Sequence, residues 1–284
     1  MSNTPNFCPE LVGSMSQGAA GNPTVAMVEA AFQHHGLCWR YINMEVAPAD
    51  LADAVKGAFA MGFRGFNLSM PHKVTVIPML SGLGESAALI GAVNCVVRRG
   101  DQFIGENTDG KGFLTSLQTE IDPRGKNVVL FGAGGAARAV AVELALAGTA
   151  KIIVVNRDEA RGRELVDTLR SKTQTSAEFV AWLGDYVVPS DTHVVINGTS
   201  IGLYDADAKL ALDFDSLKPG MIVADVVFNP VRTRLLEDAK ARGCVTIDGL
   251  GMLVNQGVIG VKHWTGIDPD AAAMRVALER AMGL

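Results

Sequence analysis

Apolar residues along this chain fall into two alternating patterns. Residues 128–131, 152–155, 194–197 and 222–227 are short, nearly unbroken apolar runs rich in Val and Ile, as expected of strands buried on both faces. Residues 179–183 and 244–248 read as two further strands of the same group. Between the first two runs, residues 136–146 carry helical spacing, so the stretch reads strand, glycine turn, helix, strand. The N-terminal part has shorter elements. Residues 11–12 end a short strand, 13–23 form a Gly/Ser/Ala loop, and a helix over 24–35 starts at Pro23 with Asn22 as its N-cap. Residues 39–46 alternate as a strand, 49–61 have helical periodicity, and 65–69 form another strand. Pro71 breaks the chain. Residues 74–80 then read as helix, 92–98 and 102–104 as a hairpin through Arg99-Gly100-Asp101, and 110–118 as helix. Two helical patterns, 253–264 and 269–282, complete the chain.

Alternating strands and helices in both parts predict an α/β protein of two domains with mostly parallel sheets. An N-terminal α/β substrate-binding and catalytic domain takes residues 1–118 and, by return of the last two helices, 253–284. Residues 119–252 form a dinucleotide-binding domain, a Rossmann-type doubly wound parallel sheet. A length of 284 residues is long for one core and suits this division. The glycine turn carries the chemistry of that second domain. Gly132 allows the turn after the first strand, Gly134 lets the backbone approach a pyrophosphate, and Ala137 stands at the third glycine position where helix packs on strand. Free N–H groups at the helix start favour phosphates. Asp158 lies about 20 residues further on, where a ribose-binding acid is expected.

Charge and composition remove other classes. The formal net charge is −5 and no basic block appears, which argues against nucleic acid and anionic membranes as partners. The first ten residues lack the basic start and apolar run of a signal peptide, and no apolar stretch is long enough to cross a bilayer. Cys8, Cys38, Cys95 and Cys244 are scattered without metal or C-x-x-C spacing, which suits reduced thiols in a cytoplasmic protein. The five histidines form no metal pattern, and no metal is expected. The expected partner is a small molecule, bound by a monomer or homodimer.

A nucleotide domain supplies a cofactor but no reaction, so the reacting groups are sought in the first domain. Two polar clusters border its apolar strands. One is Phe66-Asn67-Leu68-Ser69-Met70-Pro71-His72-Lys73; the other joins Gly91-Ala92-Val93-Asn94 to Gly105-Glu106-Asn107-Thr108-Asp109-Gly110. Hydride transfer to a carbonyl leaves an alkoxide that must gain a proton. A lysine can donate it, and a carboxylate can hold the lysine in place. Lys73 with Asp109 is the candidate pair. A solvated lysine and an ordinary Asn-Thr-Asp-Gly turn are the plain alternatives.

These motifs, in this order, resemble the shikimate/quinate dehydrogenase family. Asn197-Gly-Thr-Ser, Asp225-Val-Val-Phe-Asn-Pro230 and Asp248-Gly-Leu-Gly-Met-Leu-Val-Asn-Gln256 extend the resemblance over nearly the whole chain. It implies reversible NAD(P)-dependent interconversion of 3-dehydroshikimate and shikimate or a close ring analogue, so the substrate would be a ring acid. Lys73 would be the catalytic acid/base and Asp109 its partner. Ser69, Asn94 and Gln256 would hold ring hydroxyls. Gly132, Ala133, Gly134, Gly135 and Ala136 would take the pyrophosphate, and Asn156, Arg157 and Arg161 would border the adenosine ribose. Glu85, Thr199, Val226 and Gly249 match positions lining cofactor or cleft. NADP-using relatives commonly read Asn-Arg-Thr after the second Rossmann strand. Asp158 replaces that threonine here, which implies NAD in preference to NADP, with Arg157 and Arg161 pulling the other way.

Two departures bear on the substrate. The family's Ser-x-Ser-Pro, whose hydroxyls bind the substrate carboxylate, is Ala20-Gly21-Asn22-Pro23 here. Ser14, Ser16 and Asn22 are the candidates to replace those hydroxyls. The family's tyrosine before Asn-Pro is Phe228. A quinate or aminoshikimate-type dehydrogenase of a secondary pathway keeps the fold and changes the ring acid. A non-catalytic dinucleotide-binding regulator is the reading from another class, and it gives Lys73 and Asp109 nothing to do.

Overall fold

The structure is a computed structural model that describes residues 7–284. The chain divides into two compact units: residues up to Thr108 together with Gly257–Leu284, and Asp109–Gln256.

The first unit is built in chain order from β1 (Glu10–Ser16), α1 (Thr24–His34), β2 (Trp39–Glu45), α2 (Leu51–Ala60), β3 (Gly65–Leu68), α3 (His72–Thr75), β4 (Gly82–Leu83), α4 (Glu85–Ile90), β5 (Cys95–Arg99) and β6 (Gln102–Glu106). Its sheet has the order β2-β1-β3-β5-β6-β4. The β1 pairs with β2 and β3 are parallel, whereas β5 runs antiparallel to both β3 and β6, so this sheet is mixed. One face carries the apolar core, with Met15, Phe66, Leu68, Val96 and Phe103 packed on Leu51, Val55 and Ala58 of α2. Each of the larger side chains among them contributes roughly 1.5–3 kcal/mol by leaving water. Two expectations are corrected. Residues 13–16 continue β1 rather than opening a loop. A Cβ at Gly13 would lie 2.2 Å from the Ile42 carbonyl oxygen, so a bare backbone is what lets β2 pair there. The helix expected over residues 74–80 stops at Thr75. Pro78 has no N–H to continue it, and the chain goes on as a single 3-10 turn over Ile77–Met79.

The second unit continues with α5 (Asp109–Leu117), β7 (Asn127–Phe131), α6 (Gly135–Leu146), β8 (Lys151–Asn156), α7 (Glu159–Lys172), β9 (Ser176–Ala181), β10 (Val194–Asn197), β11 (Ile222–Asp225), α8 (Arg234–Ala241) and β12 (Val245–Ile247). Its strands are all parallel in the order β12-β11-β10-β7-β8-β9, the doubly wound arrangement with its switch between β7 and β10. Val128–Phe131, Ile152, Val154, Val155 and Val194–Ile196 are buried, which is why these strands read as unbroken apolar runs. Helix α5 falls in this unit, about ten residues before the expected boundary. Its Ser116 hydroxyl accepts a 2.9 Å bond from the Asn255 side chain, on the helix that follows β12. That helix, α9 (Gly249–Thr265), starts four residues earlier than expected, and α10 (Ala271–Met282) follows it. From Gly257 on these residues belong to the first unit, where the Trp264 indole N–H donates to the Val96 carbonyl at 2.9 Å.

Candidate active site

In the first unit the candidate residues gather at one end of the sheet. Strands β1, β2, β3 and β6 finish there and β5 begins there, so Ser16, Glu45, Ser69–Lys73, Asn94 and Thr108 share that end. Ligand loops occupy the carboxyl ends of parallel strands. The face opposite the apolar core is polar near this end. Tyr41 and Asn43 of β2, Ser14 of β1 and Asn67 of β3 lie on it at period two, with Ser14 in register with both asparagines.

Ser14 and Ser16 are buried strand residues, not loop residues. The Ser14 hydroxyl donates to Asn43 Oδ1 at 2.8 Å and accepts from Asn22 Nδ2 at 3.3 Å. Asn43 Nδ2 donates to the Asn22 carbonyl at 3.0 Å, and Asn22 Oδ1 accepts the Thr24 N–H at 3.0 Å, capping α1. Tyr41 donates to Asn67 Oδ1 at 2.9 Å, and Asn67 Nδ2 donates to the Asn94 carbonyl at 3.1 Å. Burial pushes the Tyr41 phenol above its ordinary range, so it stays a neutral donor. Asn94 Oδ1 takes the Thr108 N–H at 2.7 Å and its Nδ2 reaches Thr108 Oγ1 at 3.0 Å, which fixes the residue preceding Asp109. Lys73 is half-buried on α3, and its carbonyl accepts the Val93 N–H at 2.8 Å, next to Asn94. Ser69 is exposed at the end of β3, and Glu85 is exposed at the start of α4.

In the second unit three loops meet at the ends of β7, β10 and β11. Gly132 has φ 101°, and a Cβ there would lie 3.0–3.1 Å from Thr199 and Gly198. Gly198 in turn leaves room for Ala137; a Cβ on Gly198 would come within 2.8 Å of Ala137 Cβ. Alanine at the third glycine position is thus matched by a glycine on the neighbouring strand end. A Cβ at Gly134 or Gly135 would meet nothing within 4 Å, so protein packing does not explain those glycines. They open α6, which has no side-chain cap, and its first N–H groups are those a helix leaves without an intrahelical partner. Two bare positions under free N–H groups fit a dinucleotide pyrophosphate. Thr199 Oγ1 donates to Asn197 Oδ1 at 2.7 Å, and Val226 N–H donates to the Asn197 carbonyl at 3.1 Å. Phe228 is half-buried in the same loop as Val226, Gly249 begins α9, and Gln256 is buried further along that helix. Asp109 is the first residue of α5.

In the loop after β8, Asp158 has partners within its own chain. Asp158 is the N-cap of α7; Oδ1 accepts the Arg161 N–H at 3.1 Å and Oδ2 lies 3.4 Å from Arg161 Nε. Asn156 Nδ2 donates to the Asp158 carbonyl at 2.7 Å. Arg157 lies over the Trp182 ring, 4.8 Å from its centroid. Trp182, Tyr41, Asn43 and Glu45 were not singled out from the sequence. Tyr41, Asn43 and Glu45 recur at period two on a strand whose alternation was legible, which is the signal that could have found them. Nothing around Trp182 distinguishes it in the sequence.

Asp225 ties these loops together from within. It is buried, and its Oδ1 accepts from Asn197 Nδ2 and from Val227 N–H, both at 2.9 Å, while Oδ2 accepts from Thr233 Oγ1 at 2.7 Å. Burial raises its titration to about 6, and the three hydrogen bonds hold it back from going further. The folded chain therefore holds a proton between pH 3.8 and about 6 that the unfolded chain has lost. The stabilising contribution is complete below that window and is lost as pH rises through it. Asp225→Asn should thus gain on the native protein as pH rises from 4 to 7, by up to about 3 kcal/mol at ~1.4 kcal/mol per pKa unit. Urea unfolding of both proteins across that range checks the sign.

Among the described residues, no group of three or more His, Cys, Asp or Glu side chains could hold a metal ion. No helix among the described residues is long and apolar enough to cross a membrane.

Comparison with known proteins bears on both units. Residues 22–96 match the shikimate dehydrogenase substrate binding domain, residues 116–202 match shikimate/quinate 5-dehydrogenase, and residues 249–279 match the shikimate 5'-dehydrogenase C-terminal domain. A shikimate dehydrogenase (NADP(+)) of Desulforamulus reducens is 40% identical over 262 residues, covering 90% of this chain and 89% of that protein. Among solved structures, the ligand-free 5-ketofructose reductase of Gluconobacter sp. strain CHM43 is 55% identical with a TM-score of 0.95, covering 97% of this chain and 99% of that one. Shikimate 5-dehydrogenase from Listeria monocytogenes, solved in complex with shikimate and NAD, is 32% identical with a TM-score of 0.89, covering 97% and 98%.

Proposed function

The chain belongs to the shikimate/quinate dehydrogenase family, and we propose that its preferred substrate within that chemistry is an uncharged polyhydroxy ketone, reduced with NADPH. It is an NAD(P)-dependent oxidoreductase interconverting 3-dehydroshikimate and shikimate or a close ring analogue. The observation that carries the finer reading is the polar face of the first unit. Across that face, near the ligand end, Ser14, Tyr41, Asn43 and Asn67 present a hydroxyl, a phenol and two amides, all neutral, and Ser14 is already spent on Asn43 and Asn22. The charged group beside them is the Glu45 carboxylate, at the end of β2. Such a set suits hydroxyls and suits a carboxylate poorly. The Gluconobacter relative is named for a ketose without a carboxylate, which supports the same choice.

When bound, the nicotinamide supplies or accepts the hydride. The chain's part is to hold the reactants and manage one proton. In this reading Ser69, Asn94 and Gln256 hold ring hydroxyls, and Asn22 stands at the second of the missing serine positions. Lys73 protonates the oxygen that gains charge as the carbonyl is reduced, and takes the proton back in the oxidation. Asp109 keeps that ammonium oriented. The loop from Gly132 to Ala136 takes the pyrophosphate, and Arg157 takes the 2′-phosphate that distinguishes NADP.

Steady-state kinetics on 5-ketofructose, 3-dehydroshikimate and shikimate, each with both cofactors, test this. Hydrogen bonds to a charged group contribute about 1.5–3 kcal/mol each, so lacking two donors for a carboxylate should lower kcat/KM for the acids by about a hundredfold or more. Shikimate should be turned over with a raised KM. A higher kcat/KM for the ring acid than for the ketose overturns the reading.

A further inference from the structure

The Ala19–Gly21 turn follows Gly18, whose left-handed backbone (φ 77°, ψ 32°) aims the N–H groups of Gly18 and Ala19 the same way. Successive N–H groups in such a turn make a concave site for an anion. Here the chain fills it with its own carboxylate: Gly18 N–H donates to Glu45 Oε1 at 2.8 Å and Ala19 N–H to Oε2 at 2.7 Å. Those two bonds hold the Glu45 carboxyl below the ordinary carboxylate range, so it is an anion at working pH. The loop is joined to the polar ladder at its other end, where Asn22 bonds Ser14 and Asn43. Glu45 and Asn43 stand on the same face of β2, and Ser16, in register with Glu45, is the last residue of β1. One carboxylate therefore both shapes the loop and places a fixed negative charge beside it.

We infer that Glu45 is a specificity-determining residue, which occupies the loop's anion site from within and disfavours any substrate that brings a carboxylate of its own. This rests on the proposed function, since it takes loop 17–22 to face the substrate. The loop keeps its shape without a substrate anion, and an uncharged polyol meets amide and hydroxyl partners with no repulsion. A ring acid must bring its charge up to Glu45 after the backbone donors have been used. Exposed as it is, Glu45 acts through water, so its effect on an acid is moderate and salt-dependent.

Shikimate and its methyl ester separate charge from shape, because they share the ring and differ in the carboxylate. In the native protein kcat/KM for the ester should exceed that for the acid by about tenfold, as a like charge nearby in a high dielectric would give. Glu45→Gln should narrow the ratio to about threefold or less, mainly through KM for the acid, and Glu45→Asp should keep it wide. Loosening of the loop alone would lower both substrates together and leave the ratio untouched, and that result overturns the inference. If Glu45→Gln does not fold, the native protein still decides. Shortening the Debye length from about 30 Å at 0.01 M salt to about 3 Å at 1 M should raise kcat/KM for the acid severalfold relative to the ester. No such relative gain also overturns the inference. A native protein that favours the acid over the ester refutes the proposed substrate class itself. A native preference for the ester that Glu45→Gln does not change refutes only the role of Glu45.

Discussion

Lys73→Ala should lower kcat by about 10²–10⁴-fold, the usual cost of losing a general acid, while the protein folds and binds its cofactor nearly as before. The backbone bond that Lys73 makes survives the change: its carbonyl accepts the Val93 N–H, and an alanine supplies the same acceptor. The side chain is half-buried on a helix of four residues, so its removal opens no core cavity. What is lost is the ammonium that would protonate the forming alkoxide. Asp109→Asn should show the same kind of defect, mostly in kcat, because an amide takes the carboxylate's place without its charge. Single-turnover hydride transfer, followed by the nicotinamide absorbance, isolates the step from product release. A Lys73→Ala protein that keeps more than about a third of native kcat, far outside the range expected for a general acid, has its proton donor elsewhere.

The second unit was the more legible half of the chain. Its strands are buried on both faces, so apolar runs mark them directly, and Gly132 answers to a backbone need that only glycine meets. The first unit was less so, because its sheet has a polar face next to an apolar one. Gly13-Ser14-Met15-Ser16 has the composition of a loop, yet it is strand, since Ser14 and Ser16 point to that buried polar face while Met15 points to the core. Two readings turned on what a side chain is already bonded to, which no spacing shows. Ser14 satisfies its hydroxyl on Asn43 and Asn22, and Asp158 satisfies Oδ1 on the helix it caps. The capping role of Asp158 was open to inspection, for an aspartate just before a helical pattern is a common N-cap. The clamp of Glu45 on Gly18 and Ala19 spans 27 and 26 residues and depends on a left-handed turn, so it became visible only in three dimensions.

Arg157→Ala should lower kcat/KM for NADP by about 10–100-fold while changing that for NAD by less than about threefold, since a charge-assisted bond to a phosphate contributes roughly 1.5–3 kcal/mol. The expectation starts from Trp182, which is buried and held by its indole N–H on the Ala211 carbonyl at 2.9 Å. A guanidinium laid over that ring, 4.8 Å from the centroid, gives up rotamer freedom before any ligand arrives. It keeps its edge donors for a planar, two-point contact with phosphate. Asp158 is a weak opponent. Its carboxylate caps α7 and neighbours the Arg161 guanidinium, so the cluster of Arg157, Asp158 and Arg161 carries one net positive charge. That sign favours a ribose bearing a phosphate over one bearing a hydroxyl. Asp158→Thr should move the ratio further toward NADP, but by less than Arg157→Ala moves it back, because the threonine also caps the helix and only a partly screened charge is lost. Trp182→Leu should reproduce part of the Arg157→Ala defect with the arginine still in place, through the lost platform. Equal losses for both cofactors in Arg157→Ala, or a native preference for NAD, would return the ribose to Asp158 and leave the stacked arginine a surface contact.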